Sequence, residues 1–273
     1  MILDREHVIK VFDEYTSGYD ITDVKVKLKV DHTYRVAELA DTIAKSLNLP
    51  REDIDLAWLL GMLHDIGRFE QLRRYNTFID SVSVNHAALS ADILFLSKDG
   101  NKAPGMIREF IDDSSEDDII QKAIRLHNVF ILPESLTERE LLFCNILRDA
   151  DKIDILKVNC DIPREDIYDK PFEEIKKESI SPKVYEDAVS LRNVDRRNVV
   201  TVVDSHITQI CFVYGLVFAE SFRQVLQQGY LKKLLEFESD NPETSRQLEK
   251  IGVTVMDYME KAINNMNGSK VND

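Results

Sequence analysis

The stretch LLGMLHDIGRFEQLRR, Leu59 to Arg74, sets His64 and Asp65 side by side inside an otherwise apolar run. Polar groups in a segment built for burial are costly unless they are paired or bind something. The chain has six histidines. Four of them, His32, His64, His86 and His127, fall at the head or on the apolar side of separate predicted helices, and Asp151 lies in a fifth. Imidazole is the commonest metal ligand in proteins and carboxylates complete such sites. Helical proteins build metal centres from side chains that project into one core from several helices. The order His32, His64-Asp65, His86, His127, Asp151 therefore points to a metal site assembled from five helices. His64 and Asp65 are expected in the last turn of theirs, where unpaired carbonyls favour a cation.

The elements that must position these residues read as helices throughout. After His32, the residues Val36, Leu39, Ala40, Ile43 and Leu47 recur at three- and four-residue steps, so His32 begins an amphipathic helix. Lys25, Lys27 and Lys29 alternate with Val26, Leu28 and Val30 and read as a solvated edge of an extended or helical approach to it. Pro50 starts a second helix, apolar nearly all round, that is expected to run unbroken to about Gly67. SVNHAALSADILFL predicts a third, with Ser83 or Asn85 as cap, and DDIIQKAIRLHN a fourth. The Thr137–Glu140 spacing is a capping box that opens a fifth. A Pro-bearing stretch from Cys160 to Pro182 reads as a connection, and two more helices are expected over 201–227 and 243–265. The fold class is all-α. The expected organisation is a metal-binding helical core over residues 1–175 and a C-terminal helical extension over 176–273, which either packs on the core or forms a homodimer interface.

The pieces VDHTYRVAELA, LLGMLHDIGRFEQ, VNHAALSADIL, AIRLHN and ILRDADKIDIL together resemble the HD-domain superfamily of metal-dependent phosphohydrolases, over residues 25–158. An adjacent His-Asp pair alone is a weak signal; the ordered set is a strong one. The resemblance implies an HD-domain helical bundle with metal ligands His32, His64, Asp65 and Asp151. Asp149 stays open as an alternative to Asp151, because that helix carries apolar residues on several faces. His86 and His127 match members that hold two ions, with Asp65 then bridging both. The implied cofactor is a pair of divalent transition metals, Mn, Fe, Co, Ni or Zn, with Mg as a further candidate. The implied chemistry is attack of a metal-activated water on phosphorus. Arg68, four residues after His64, is the candidate phosphate clamp, where related sequences often carry Lys. Lys152 is a further catalytic candidate beside Asp65 and Arg68, Arg73 and Arg74 are weaker ones, and Asn128 is placed to orient a ligand. His7 and His206 read as structural. The turn-rich KDGNKAPG reads as a lid at the pocket.

Composition narrows the partners. A net charge of −14 and no basic-aromatic interleaving argue against nucleic acid and anionic membrane. The most apolar run, ITQICFVYGLVFAESF, is too short to span a bilayer. Three widely spaced cysteines without a CxxC pair, and an acid-bearing start without a leader pattern, suit a reduced, cytoplasmic protein. The expected partner is a small phosphorylated substrate, a nucleotide first. No GYP signature follows the HD pair, which argues against cyclic dinucleotides. The alternatives of other classes are a di-iron oxygenase, which the same ligands would serve, and a nucleotide-sensing regulator, which would usually have lost ligands.

Overall fold

Three- and four-residue apolar spacing gives helices wherever it occurs, and the computed structural model, which describes residues 3–96, 105–161 and 170–268, holds no strand among those residues. The chain divides into two compact units, Met1–Asp151 and Lys152–Asp273. The first contains α1 (Arg5–Thr16), α2 (Val24–Ser46), α3 (Arg51–Leu63), α4 (Ile66–Tyr75), α5 (His86–Phe95), α6 (Ile107–Phe110) and α7 (Asp117–Leu126). The long α8 (Glu138–Asp161) runs through the break between the units. In this first unit α2 packs along α3, α4 on α5, and α5 on α7. The stretch Leu56–Leu63 is buried on every face, as its unbroken apolarity demands.

Two glycines let these helices approach closely. A Cβ on Gly61 would stand 2.5 Å from the Ala37 Cα, so glycine is what seats α3 against α2. A Cβ on Gly67 would stand 2.6 Å from the Ser90 amide, so the same logic seats α4 on α5, where Gly67 N–H donates to Ser90 Oγ. At the start of α8 the expected capping box forms: Glu140 Oε2 accepts from the Thr137 amide at 2.8 Å. Asn85 caps α5, its side chain accepting from the Ala88 amide.

The structure departs from the sequence reading in three places. α2 begins at Val24, so His32 lies inside the helix rather than at its head; the approach that carries Lys25, Lys27 and Lys29 takes the helical of its two expected forms. The run from Pro50 does not continue to Gly67. It breaks at the His-Asp pair, where Asp65 leaves the helical region (φ −108°, ψ 15°) and α4 starts afresh. The helix expected over 201–227 divides into α11 (Val202–Ile210), a 3₁₀ turn at Cys211–Gly215, and α12 (Ala219–Gln228).

The second unit is completed by α9 (Phe172–Ile175), α10 (Pro182–Val189), α13 (Tyr230–Leu235) and α14 (Pro242–Gly268). There α10 and α12 each pack on α14. No helix among the described residues is long and apolar enough to cross a membrane. Residues 98–104 of the expected lid lie outside the described residues.

Candidate metal centre

His32 projects from mid-α2, His64 closes α3, His86 opens α5 and His127 closes α7, and all four are buried. Close packing of α3 on α2 brings His64 Nε2 to 3.3 Å from His32 Nε2. Packing of α5 on α7 brings His86 Nε2 to 2.9 Å from His127 Nε2. Asp65, at the break between α3 and α4, makes no capping bond to its own helix. Its carboxylate lies between the two histidine pairs. Oδ2 is 3.7 Å from His32 Nε2 and 3.6 Å from His64 Nε2, whereas Oδ1 is 3.6 Å from His86 Nε2 and 3.7 Å from His127 Nε2. Each oxygen thus faces its own pair. Asp151, on α8, adds a carboxylate to the first pair, with Oδ1 3.2 Å from His32 Nε2 and 3.8 Å from His64 Nε2. Asp149 is fully buried in the same helix.

The outer nitrogens fix how these rings are protonated. His64 Nδ1–H donates to the Gly61 carbonyl and His127 Nδ1–H to the Ile124 carbonyl, each at 2.7 Å. His86 Nδ1–H donates to Asp80 Oδ2 at 2.6 Å. Burial pushes the His64 imidazole down, and pushes His86 and His127 down to about 4, so all three are neutral near pH 7. Their Nε2 atoms therefore carry lone pairs; those of His86 and His127 face each other at 2.9 Å with no proton to share, and Arg68 Nη2 lies 3.3 Å from that of His86. Burial raises the Asp65 carboxyl, but Lys29, His64 and Arg68 outweigh it and hold it well below the usual carboxylate range. Its Oδ1 is buried without a hydrogen-bond partner. Facing lone pairs and an orphaned anionic oxygen are what a divalent cation satisfies, and the donor set of imidazole plus carboxylate suits a transition metal. His32, His64 and Asp65 form one group able to hold an ion, and Asp65, His86 and His127 a second.

Around this centre stand further groups, of which the sequence reading singled out Asn128 as an orienting residue but neither Asp80 nor Lys29. Asp80, in the 3₁₀ turn Asp80–Val82, accepts from His86 Nδ1–H on Oδ2, and on Oδ1 from Gln71 Nε2 at 3.0 Å and from Arg68. Its carboxyl is held down to about 2, the His86 hydrogen bond overcoming burial. The signal for Asp80 in the sequence is nil, because it sits between helices. Asn128 acts through Asp80, to which its Nδ2 donates at 3.2 Å. Lys29, read from the sequence as solvated, is 2.8 Å from Asp65 Oδ2. One helical turn separates it from His32, which is the signal that could have found it.

Arg68 faces the centre: Nε is 3.6 Å from Asp65 Oδ1, and Nη1 donates to the Phe78 carbonyl and Gln71 Oε1. Arg73 and Arg74 are instead exposed and both pair with Glu70. Lys152 belongs to the second unit, where its Nζ donates to the Gly215 carbonyl at 2.6 Å. His7 and His206 bond backbone carbonyls, of Glu109 and Leu234 respectively. Residues 30–156 match the family model described as the HD domain, which spans every ligand candidate named above. No curated protein and no solved structure matches the chain.

Proposed function

We propose that this chain, residues 30–156 of which match the HD-domain family model, is a metal-dependent phosphohydrolase that hydrolyses a small phosphate ester or anhydride, with a nucleotide as the first candidate substrate. The observation that carries the reading is the position of Asp65, one oxygen toward each of two buried histidine pairs. That arrangement suits two cations sharing one carboxylate. A divalent ion held there supplies Lewis acidity toward phosphate oxygens and activates a water near neutral pH. The protein supplies the rest. The Gly61 and Ile124 carbonyls and Asp80 fix the histidine tautomers, so the donor nitrogens need no reorganisation when a cation arrives. Arg68 offers guanidinium charge beside Asp65, where charge on phosphate oxygens grows during the reaction. Burial of all four histidines keeps bulk water out, so each charge acts in a medium of low dielectric.

The reading is tested by phosphate release from nucleotides and sugar phosphates with Mn-, Fe- or Co-loaded protein beside Asp65→Ala. Release in the wild type that disappears in the variant supports hydrolysis. Silence across the panel from protein holding two ions contradicts it, and oxygen consumption by the iron form would then favour an oxygenase.

A further inference from the structure

Lys25, Lys27 and Lys29 all lie in the first two turns of α2, yet Lys29 alone is tied to the centre. Lys27 pairs with Asp31 on the exposed surface at 3.2 Å. Lys29 is 14 % exposed, with Nζ 2.8 Å from Asp65 Oδ2 and 5.5 Å from the centroid of the Phe78 ring. The Arg68 guanidinium carbon lies 5.6 Å from that same centroid, while its Nε approaches the other Asp65 oxygen. Each oxygen of the shared carboxylate therefore has a cation of its own in addition to its own histidine pair. Phe78 serves both cations as one wall.

Neutralising Asp65 does not require both side chains once divalent ions are bound, because the ions carry that charge themselves. Lys29 and Arg68 then add positive charge to a centre whose nearby carboxylates, Asp65, Asp80 and Asp151, two divalent ions already outweigh. An anion restores the balance, and a dianion does so better than a monoanion. A terminal phosphoryl group is such a dianion near neutral pH, whereas an internal phosphodiester carries one charge and a second bulky substituent.

The geometry points to Lys29 as a phosphate-binding residue for terminal, dianionic phosphoryl groups. It serves the His32–His64 side of the centre, and Arg68 serves the His86–His127 side. The inference takes its substrate from the phosphohydrolase reading, but the anion site itself is measurable without turnover.

The test is calorimetric binding of inorganic phosphate, and of dimethyl phosphate as a monoanionic probe, to the Mn-loaded full chain and to Lys29→Met and Lys29→Arg. Phosphate is expected to bind at least about tenfold tighter than dimethyl phosphate, and K29M to weaken it by about tenfold or more with metal content unchanged. K29R is expected to recover most of the loss. Phosphate affinity in K29M equal to wild type, no phosphate binding by wild type, or equal binding of the two probes overturns the proposal. Loss of metal from both K29M and Lys29→Gln also overturns it, since Lys29 would then be a strut for Asp65. Wild type that binds phosphate through Lys29 but hydrolyses no ester sinks the enzymatic reading alone. Active wild type whose phosphate binding ignores K29M sinks this inference alone.

Discussion

At the scale of single residues, Asp80 distinguishes His86 from the other histidines of the centre. His64 and His127 lean on backbone carbonyls three residues back, whereas His86 leans on a carboxylate. A charged partner raises ligand basicity as well as fixing orientation. Asp80→Asn is therefore expected to weaken one of two metal equivalents by about tenfold or more and to spare the other. Metal titration with elemental analysis checks this, and two unchanged equivalents contradict it. The histidines also set a pH dependence in the metal-free chain. Their folded pKa values, depressed to about 4 for His86 and His127, lie below the ordinary 6.5, so between those values the unfolded chain binds more protons. Stability is then complete above the ordinary value and is lost as pH falls through this window. The depressed Asp65 carboxyl adds loss in the same direction, below its own ordinary value. Urea midpoints of metal-free protein should fall between pH 7 and pH 5, and a flat profile contradicts the assigned neutral rings. The ligand types were legible from the sequence because histidines are few and fall on apolar faces. Lys29 was not, because alternation with apolar residues suits an extended or a helical approach equally, and only the helical register shows that it shares a face with His32.

At the scale of elements, close helix approach brings the histidines within reach of one another, and glycine permits that approach. Gly61→Ala places a methyl against the Ala37 backbone, which has no soft side chain to yield. A destabilisation of about 1–3 kcal/mol is expected, with loss of metal, because α2 and α3 must part and separate His32 from His64. Gly252→Ala, in α14 with its nearest neighbour 3.9 Å away, should instead stabilise by about 0.5–1 kcal/mol. Chemical denaturation of the two variants checks the contrast, and equal effects contradict it. Helix periodicity carried the existence of these elements well, including the capping box at Thr137 and the cap at Asn85. The break at Asp65 was hidden. The run around it is apolar and free of proline, so nothing local stops the helix, and the departure comes from a carboxylate turned toward Lys29 and the centre instead of its own helix end. The division of the 201–227 run was hidden similarly, since the residues around Gly215 are apolar and free of proline. In the structure the space at its Cα is filled by Asn193 and Lys152 side chains.

At the scale of the whole molecule, a chain of net charge −14 concentrates several buried charges around one point of its first unit. Ligand binding that favours the folded state must raise its stability by mass action. Saturating Mn at about 100 times its dissociation constant should add about 2.7 kcal/mol per site, reversed by a chelator. Asp65→Ala should abolish that gain, and thermal melts with and without metal read it directly. Anomalous diffraction from crystals loaded with Mn or Co should show two peaks flanking the Asp65 carboxylate, one against His32, His64 and Asp151, the other against His86 and His127. A single peak, or ions bound away from these side chains, would contradict a centre of two ions sharing Asp65.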